Sequence, residues 1–100
     1  MIKITPSFVI EIKDFMPTGR YGHGYYNFNT QGSSISGHLK SSDIEKIVFS
    51  SKIHRGMLSH SVSFNDINGE HIFKVFVTRN ENREIIKDQF DKFIALRDSF

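Results

Sequence analysis

Five histidines and no cysteine set the chemistry open to this chain. An imidazole binds borderline metals through a neutral nitrogen and moves protons near neutral pH. His38 stands out. In Ser34-Ile35-Ser36-Gly37-His38-Leu39-Lys40 an extended backbone turns it away from Ile35 and Leu39, towards Ser34, Ser36 and Lys40. Gly37 beside it removes a side chain, which lets a flat ligand or another backbone come close. Such a histidine can ligate a borderline metal, haem iron among them. The plainer reading is a surface strand histidine next to a bulge glycine, and spacing alone favours it. His23 lies in Gly22-His23-Gly24-Tyr25-Tyr26, where a histidine and the Tyr25 phenol could meet a planar ring. A glycine-kinked strand with its tyrosines on the core explains the same residues equally well. His60 alternates with Leu58, Val62 and Phe64 and reads as a core histidine, whereas His54 and His71 fall near strand ends. No two histidines have the i, i+4 spacing of a helical zinc site.

Cations accompany these histidines. Arg20, Lys40, Lys52, Arg55, Lys74 and Arg79 lie on or beside extended segments and could hold ligand carboxylates such as haem propionates, although a solvated surface is their ordinary role. Lys74, between Phe73 and Val75, shares the second face of its strand with Phe76. That face needs cover from a ligand, a further segment or a partner subunit. Thiolate metal sites, disulfides and a cysteine nucleophile are excluded, no Gly-x-Ser-x-Gly elbow or phosphate loop occurs, and the acids do not pair at one locus.

The elements that must position these groups are short strands followed by one helix. Even positions from Ile2 to Ile12 alternate as one strand that begins in earnest at Ser7, with Pro6 marking it as near an edge. Met16-Pro17-Thr18-Gly19 is a turn, Tyr21 to Asn29 a second strand, Thr30-Gln31-Gly32-Ser33 another turn, and Ser34 to Lys40 a third strand. Ser41-Ser42-Asp43 can form one helical turn. Ile44 to Ile53 and Leu58 to Asn65 flank a break at Arg55-Gly56. Asp66-Ile67-Asn68-Gly69 is a hairpin turn before a sixth strand, His71 to Thr78. Ile86, Phe90, Phe93, Leu96 and Phe100 then recur at helical spacing, with Asn80 or Asn82 as cap and Glu81 and Glu84 near the positive end. The expected fold is α+β: a single antiparallel sheet of about six strands with a C-terminal amphipathic helix, one domain over residues 1–100.

Composition agrees. A chain of 100 residues with 38% hydrophobic and 24% charged residues folds around one core. The net charge of +2 is scattered singly, which speaks against nucleic acid as partner. No apolar run reaches the ~18 residues of a membrane helix, and no signal-peptide core is visible, so no membrane insertion and a cytoplasmic location are expected.

Taken in order, Pro17-Thr18-Gly19, Gly22-His23-Gly24-Tyr25-Tyr26-Asn27 and Ile35-Ser36-Gly37-His38-Leu39-Lys40 resemble the HutX/ChuX haem-utilisation family, which is related to the HemS-type proteins. The resemblance continues through Arg55-Gly56-Met57, Val62-Ser63-Phe64-Asn65, Asn68-Gly69, Phe73-Lys74-Val75-Phe76-Val77 and Arg79-Asn80-Glu81-Asn82-Arg83-Glu84 to Asp88-Gln89, from about Ser7 to Leu96. It implies a cytoplasmic haem carrier of bacterial haem uptake and iron utilisation, with a large antiparallel sheet that pairs into a homodimer. By position it implies His38 as the iron ligand and His23 as the family's second histidine. Tyr25 or Phe76 would contact the macrocycle, and Lys40, Lys74 or Arg79 would pair with propionates.

Two departures accompany the resemblance. Family members carry helices ahead of the first strand, and a histidine that some of them place there falls near Ile4. Lys52-Ile53-His54-Arg55 replaces a segment richer in arginine and phenylalanine. They leave two other readings beside the carrier: a haem-degrading or haem-iron-reducing enzyme, for which no dedicated catalytic pair is visible, and a shortened member that lost haem and serves as a dimeric interaction module.

Overall fold

The computed structural model of the chain describes residues 1–29 and 31–100. The fold is α+β, with antiparallel strands and a helix at the C-terminal end. Strands β1 (Ile2–Ile4), β2 (Val9–Glu11), β6 (Lys46–His54), β7 (Met57–Asn65) and β8 (His71–Phe76) form a five-stranded sheet in the order β2-β1-β8-β7-β6. Strands β3 (Gly19–Gly22), β4 (Tyr25–Phe28) and β5 (His38–Leu39) form a separate three-stranded sheet. A 3-10 turn at Ser41–Asp43 joins the two, and α1 covers Lys87–Asp98. Among the described residues the strands thus number eight in two sheets, where the sequence pattern predicts about six in one.

The physical reasons are local. The Ile2 to Ile12 alternation is two strands, because Thr5 Oγ1 accepts the N–H groups of Ser7 and Phe8 (3.2 and 3.0 Å) and folds the chain back at Pro6. Ile2 then faces Glu11 and Ile4 faces Val9, so the even-numbered isoleucines do not share one side. Tyr21 to Asn29 is likewise not one strand: His23 and Gly24 take positive φ (53° and 82°) in a two-residue hairpin turn. Histidine is among the few non-glycine residues that tolerate this region. Of Ser34 to Lys40 only His38–Leu39 joins a ladder. Upstream, the side chains satisfy the backbone in the ladder's place. Ser34 gives both its N–H and its hydroxyl to Asp14 (2.9 and 2.6 Å), and Ser33 Oγ donates to the Phe15 carbonyl (2.6 Å). The Ser34 hydroxyl first, then the Ser34 and Phe15 N–H groups, hold the Asp14 carboxyl below the usual carboxylate range. Thr30, expected to open a turn here, lies outside the described residues.

The hairpin of β6 and β7 runs in unbroken register from Lys46↔Asn65 to His54↔Met57, turning at Arg55-Gly56 with φ of 51° and 79°. One face of it meets α1. Phe93, 5% exposed, sits against Phe49 (5.7 Å between ring centroids) and His60 (5.5 Å), and Phe90 lies 4.7 Å from His60. Phe64 stacks on Phe73 at 4.6 Å to extend this core. The helix begins at Lys87, with Ile86 at its N-cap and no side-chain cap. Asn80 is used earlier: its Oδ1 accepts the N–H groups of Asn82 and Glu84 in the preceding loop. The opposite sheet face carries Lys74 and Phe76 across from Ser63 and Ser61. Those serines are buried and Lys74 and Phe76 half-buried, so the chain itself supplies much of this face's cover.

Candidate functional site

The small sheet has two unlike faces. Directly opposed residues of antiparallel strands share a face. Arg20 pairs with Asn27 and Asn27 with His38, so these three side chains form a row across β3, β4 and β5. Tyr25, two residues before Asn27, stands on the same side opposite Gly22. The reverse face is aromatic and apolar: Tyr21 and Tyr26 meet edge to face at 5.0 Å, Phe28 lies 5.9 Å from Tyr26, and Leu39 pairs with Tyr26. On that reverse side Tyr26, Phe28 and Leu39 are half-buried and Tyr21 is exposed, while Arg20, Tyr25 and His38 of the polar row all stand exposed. Gly19 permits the close approach of β3 to β4. A Cβ there would press on the Asn27 carbonyl oxygen and come within 2.8 Å of the Tyr26 ring.

Within the row, His38 Nδ1 lies 2.6 Å from Asn27 Oδ1, and the Tyr25 ring stands edge-on to the imidazole at 6.2 Å. Asn27 Nδ2 donates to the carbonyls of Gly22, Arg20 and Tyr25 at 3.1, 3.2 and 3.3 Å. His38 Nε2 has no hydrogen-bond partner among the described residues, and the side chain is exposed. Gly37, at a φ of 134°, has open space where a Cβ would be. Arg20 and Asn27 also border an open polar groove with Thr18, Asn29 and Gln31.

The structure therefore brings together His38 and Tyr25, and keeps Lys40 next in chain to β5, where it makes an exposed 3.9 Å ion pair with Asp43. His23 is at the exposed tip of the same hairpin rather than within an aromatic strand. Lys74 and Phe76 belong to the larger sheet. Arg79 follows that sheet, and its guanidinium donates to the Leu58 carbonyl and to that of Arg83 (2.7 Å). Sequence reasoning missed Asn27, and it named Arg20 among six cations that could hold a propionate without placing it beside His38. Only the β4–β5 register could have placed them beside His38, and no short turn fixes that register. Among the described residues no helix is long and apolar enough to cross a membrane.

A family model described as haem utilisation ChuX/HutX matches residues 4–96. The chain belongs to the ChuX/HutX haem-utilisation family. Among ChuX/HutX relatives, the intracellular heme transport protein HutX of Vibrio cholerae is 35% identical over 89 residues, which cover 89% of this chain and 46% of HutX. The crystal structure of an Agrobacterium tumefaciens protein shares the fold with a TM-score of 0.90 at 37% identity, over 99% of this chain and 57% of that one. A solved structure of the heme-binding protein ChuX gives a TM-score of 0.87 at 26% identity, over 98% and 61% of the two chains. This ChuX/HutX chain spans about half the length of the curated relative it matches. The matched residues take in both sheets, and so include the whole Arg20–Asn27–His38 row.

Proposed function

We propose that this chain binds haem on the outer face of its small sheet and serves as an intracellular haem carrier, as the names of its relatives HutX and ChuX describe for them. The observation that carries the reading is His38: an exposed imidazole with Nδ1 occupied by Asn27 and Nε2 open. Haem iron brings four porphyrin nitrogens of its own, so one imidazole is a sufficient protein ligand. The residues present fit the rest of the group. Tyr25 offers an aromatic edge beside His38, Gly37 leaves space for a flat macrocycle, and Arg20, in the same row, provides a planar fork for a propionate. Lys40, free but for one weak ion pair, is a second cation for that role. His23 at the hairpin tip is a second imidazole at the end of the same sheet. When bound, haem supplies the iron; the chain supplies a ligand, an aromatic neighbour and cations.

The test is a titration of the purified protein with haemin, following the Soret band, for the wild type and His38→Ala. A saturable, shifted band that His38→Ala weakens or moves is expected. A wild-type spectrum no different from haemin in buffer overturns haem binding, and an unchanged His38→Ala titration removes His38 as ligand.

A second copy of the chain is the partner we infer. A compact monomer of 11.6 kDa exposes ~5,800 Å², whereas this chain exposes 7687 Å², about 1,900 Å² more. Large apolar side chains contribute, among them Phe15, Tyr21 and Ile53, each more than three-quarters exposed. A standard interface buries ~800 Å² per partner, so self-association would cover a large part of the excess. Sedimentation equilibrium at tens of micromolar should give a dimer mass, and a monomer there contradicts the inference.

A further inference from the structure

We infer that Asn27 is a positioning residue that sets the tautomer of His38, and so decides which ring nitrogen is offered to a metal. The inference deepens the haem reading and takes from it that His38 is the ligand.

An asparagine side chain has one end that donates and one that accepts. Around Asn27 the ends are not interchangeable. Nδ2 lies among three backbone carbonyls, those of Arg20, Gly22 and Tyr25, at 3.1 to 3.3 Å. A flipped amide would set Oδ1 against three oxygens that can donate nothing. The amide therefore points its oxygen at His38, 2.6 Å from Nδ1. An amide oxygen only accepts, so the proton of the neutral imidazole sits on Nδ1 and the lone pair on Nε2. Nε2 is the nitrogen left without a partner among the described residues.

The backbone builds this arrangement. The His23-Gly24 turn brings the Gly22 and Tyr25 carbonyls together at its base, and the ladder places Asn27 between Arg20 and His38. An acceptor on the non-ligating ring N–H is what fixes a metal-binding histidine in orientation and raises its basicity.

The experiment reads the tautomer directly, in the protein without haemin. Two-bond ¹H–¹⁵N correlation spectra of the wild type, Asn27→Ala and Asn27→Asp are recorded at about pH 8, where imidazole is neutral. The wild type is expected to show His38 protonated on Nδ1. Asn27→Ala should move the population to Nε2–H, whereas Asn27→Asp loses the same bonds to the Arg20, Gly22 and Tyr25 carbonyls, and so shares the cost in stability, but should keep Nδ1–H because one carboxylate oxygen still accepts there. A purely structural role in the hairpin would affect Ala and Asp alike, and that result overturns the inference. So does an Nε2–H wild type, which needs no variant to fold. Haemin titration of the same proteins should show affinity weakened ~10–100-fold in Asn27→Ala and less in Asn27→Asp. Wild type that carries Nδ1–H but does not bind haemin defeats the haem reading and leaves the tautomer assignment standing. Haemin bound through His38 in an Nε2–H protein defeats the assignment alone.

Discussion

Ser51 and His60 face each other across the β6–β7 ladder, with Ser51 Oγ 2.7 Å from His60 Nδ1. The imidazole is 8% exposed and lies against Phe90 and Phe93 of the helix. Its polar edge thus turns to the strand while its ring face joins the aromatic core. A buried ring nitrogen without a partner is costly, so this hydrogen bond lets a histidine serve as a core residue.

Ser51→Ala should therefore cost about 1 kcal/mol of stability, and the same change should cost almost nothing once His60→Leu has removed the imidazole. Urea denaturation of the two single variants and the double variant measures the coupling. A Ser51→Ala cost that persists in the His60→Leu background would mean that the serine acts elsewhere.

Acid should weaken the attachment of β1. His71 Nε2 accepts the Ile4 N–H at 3.1 Å, and Lys3 Nζ reaches the His71 carbonyl at 2.5 Å. Burial first, then Lys3 and Lys74, hold the imidazole below its ordinary value of 6.5, with Glu70 pulling the other way. The unfolded chain consequently takes up this proton more readily than the folded one. Stability is fully present above the ordinary value and is lost as pH falls through the lowered folded value. Urea midpoints from pH 8 down to 5 should fall in the wild type and fall less in His71→Gln, which does not titrate. Equal losses in both proteins would acquit His71.

Gly19→Ala should be the costlier of two glycine substitutions in the small sheet. At Gly19 a Cβ meets the Asn27 carbonyl and the Tyr26 ring, an overpacking expected to cost about 1–3 kcal/mol. At Gly24 nothing lies within 4 Å, so Gly24→Ala carries only its backbone strain at φ 82°, about 1 kcal/mol. Thermal unfolding of the two variants compares them, and a Gly24→Ala loss equal to or above that of Gly19→Ala contradicts the packing argument.

What the sequence made legible was what short turns and strict alternation encode. Arg55-Gly56 and Asn68-Gly69 mark their hairpins, and the Leu58, His60, Val62, Phe64 stripe is the helix-facing side of β7. His60 as a core histidine followed from that stripe. Alternation failed where side chains fold the chain back without breaking the period. Thr5 does so at Pro6, which splits the isoleucine stripe between faces. The glycines flanking His23 read as strand kinks, although Gly24 and His23 form the turn itself. His38 was visible as a residue type beside Gly37, but its partner was not, because a cross-strand pairing such as Asn27↔His38 leaves no mark in local periodicity. The helix stripe placed Phe93 correctly, while Asn80 was drawn to a cap it does not make.

The pairing of Ile2 with Lys74 joins the first and last strands within one sheet. Most other ladders are closed by neighbours: β6 meets β7 across a two-residue turn, and β7 meets β8 through Asp66 and Gly69. Closing a loop over most of the chain sacrifices more entropy than closing a hairpin, and contacts distant in sequence slow the search for the native state. The β6–β7–β8 meander can assemble from adjacent pieces, whereas the β1–β8 pairing requires the long loop to close. In native-state hydrogen exchange the β1 amides should open at lower free energy than those of β7, so the seam between first and last strands is where this fold begins to come apart.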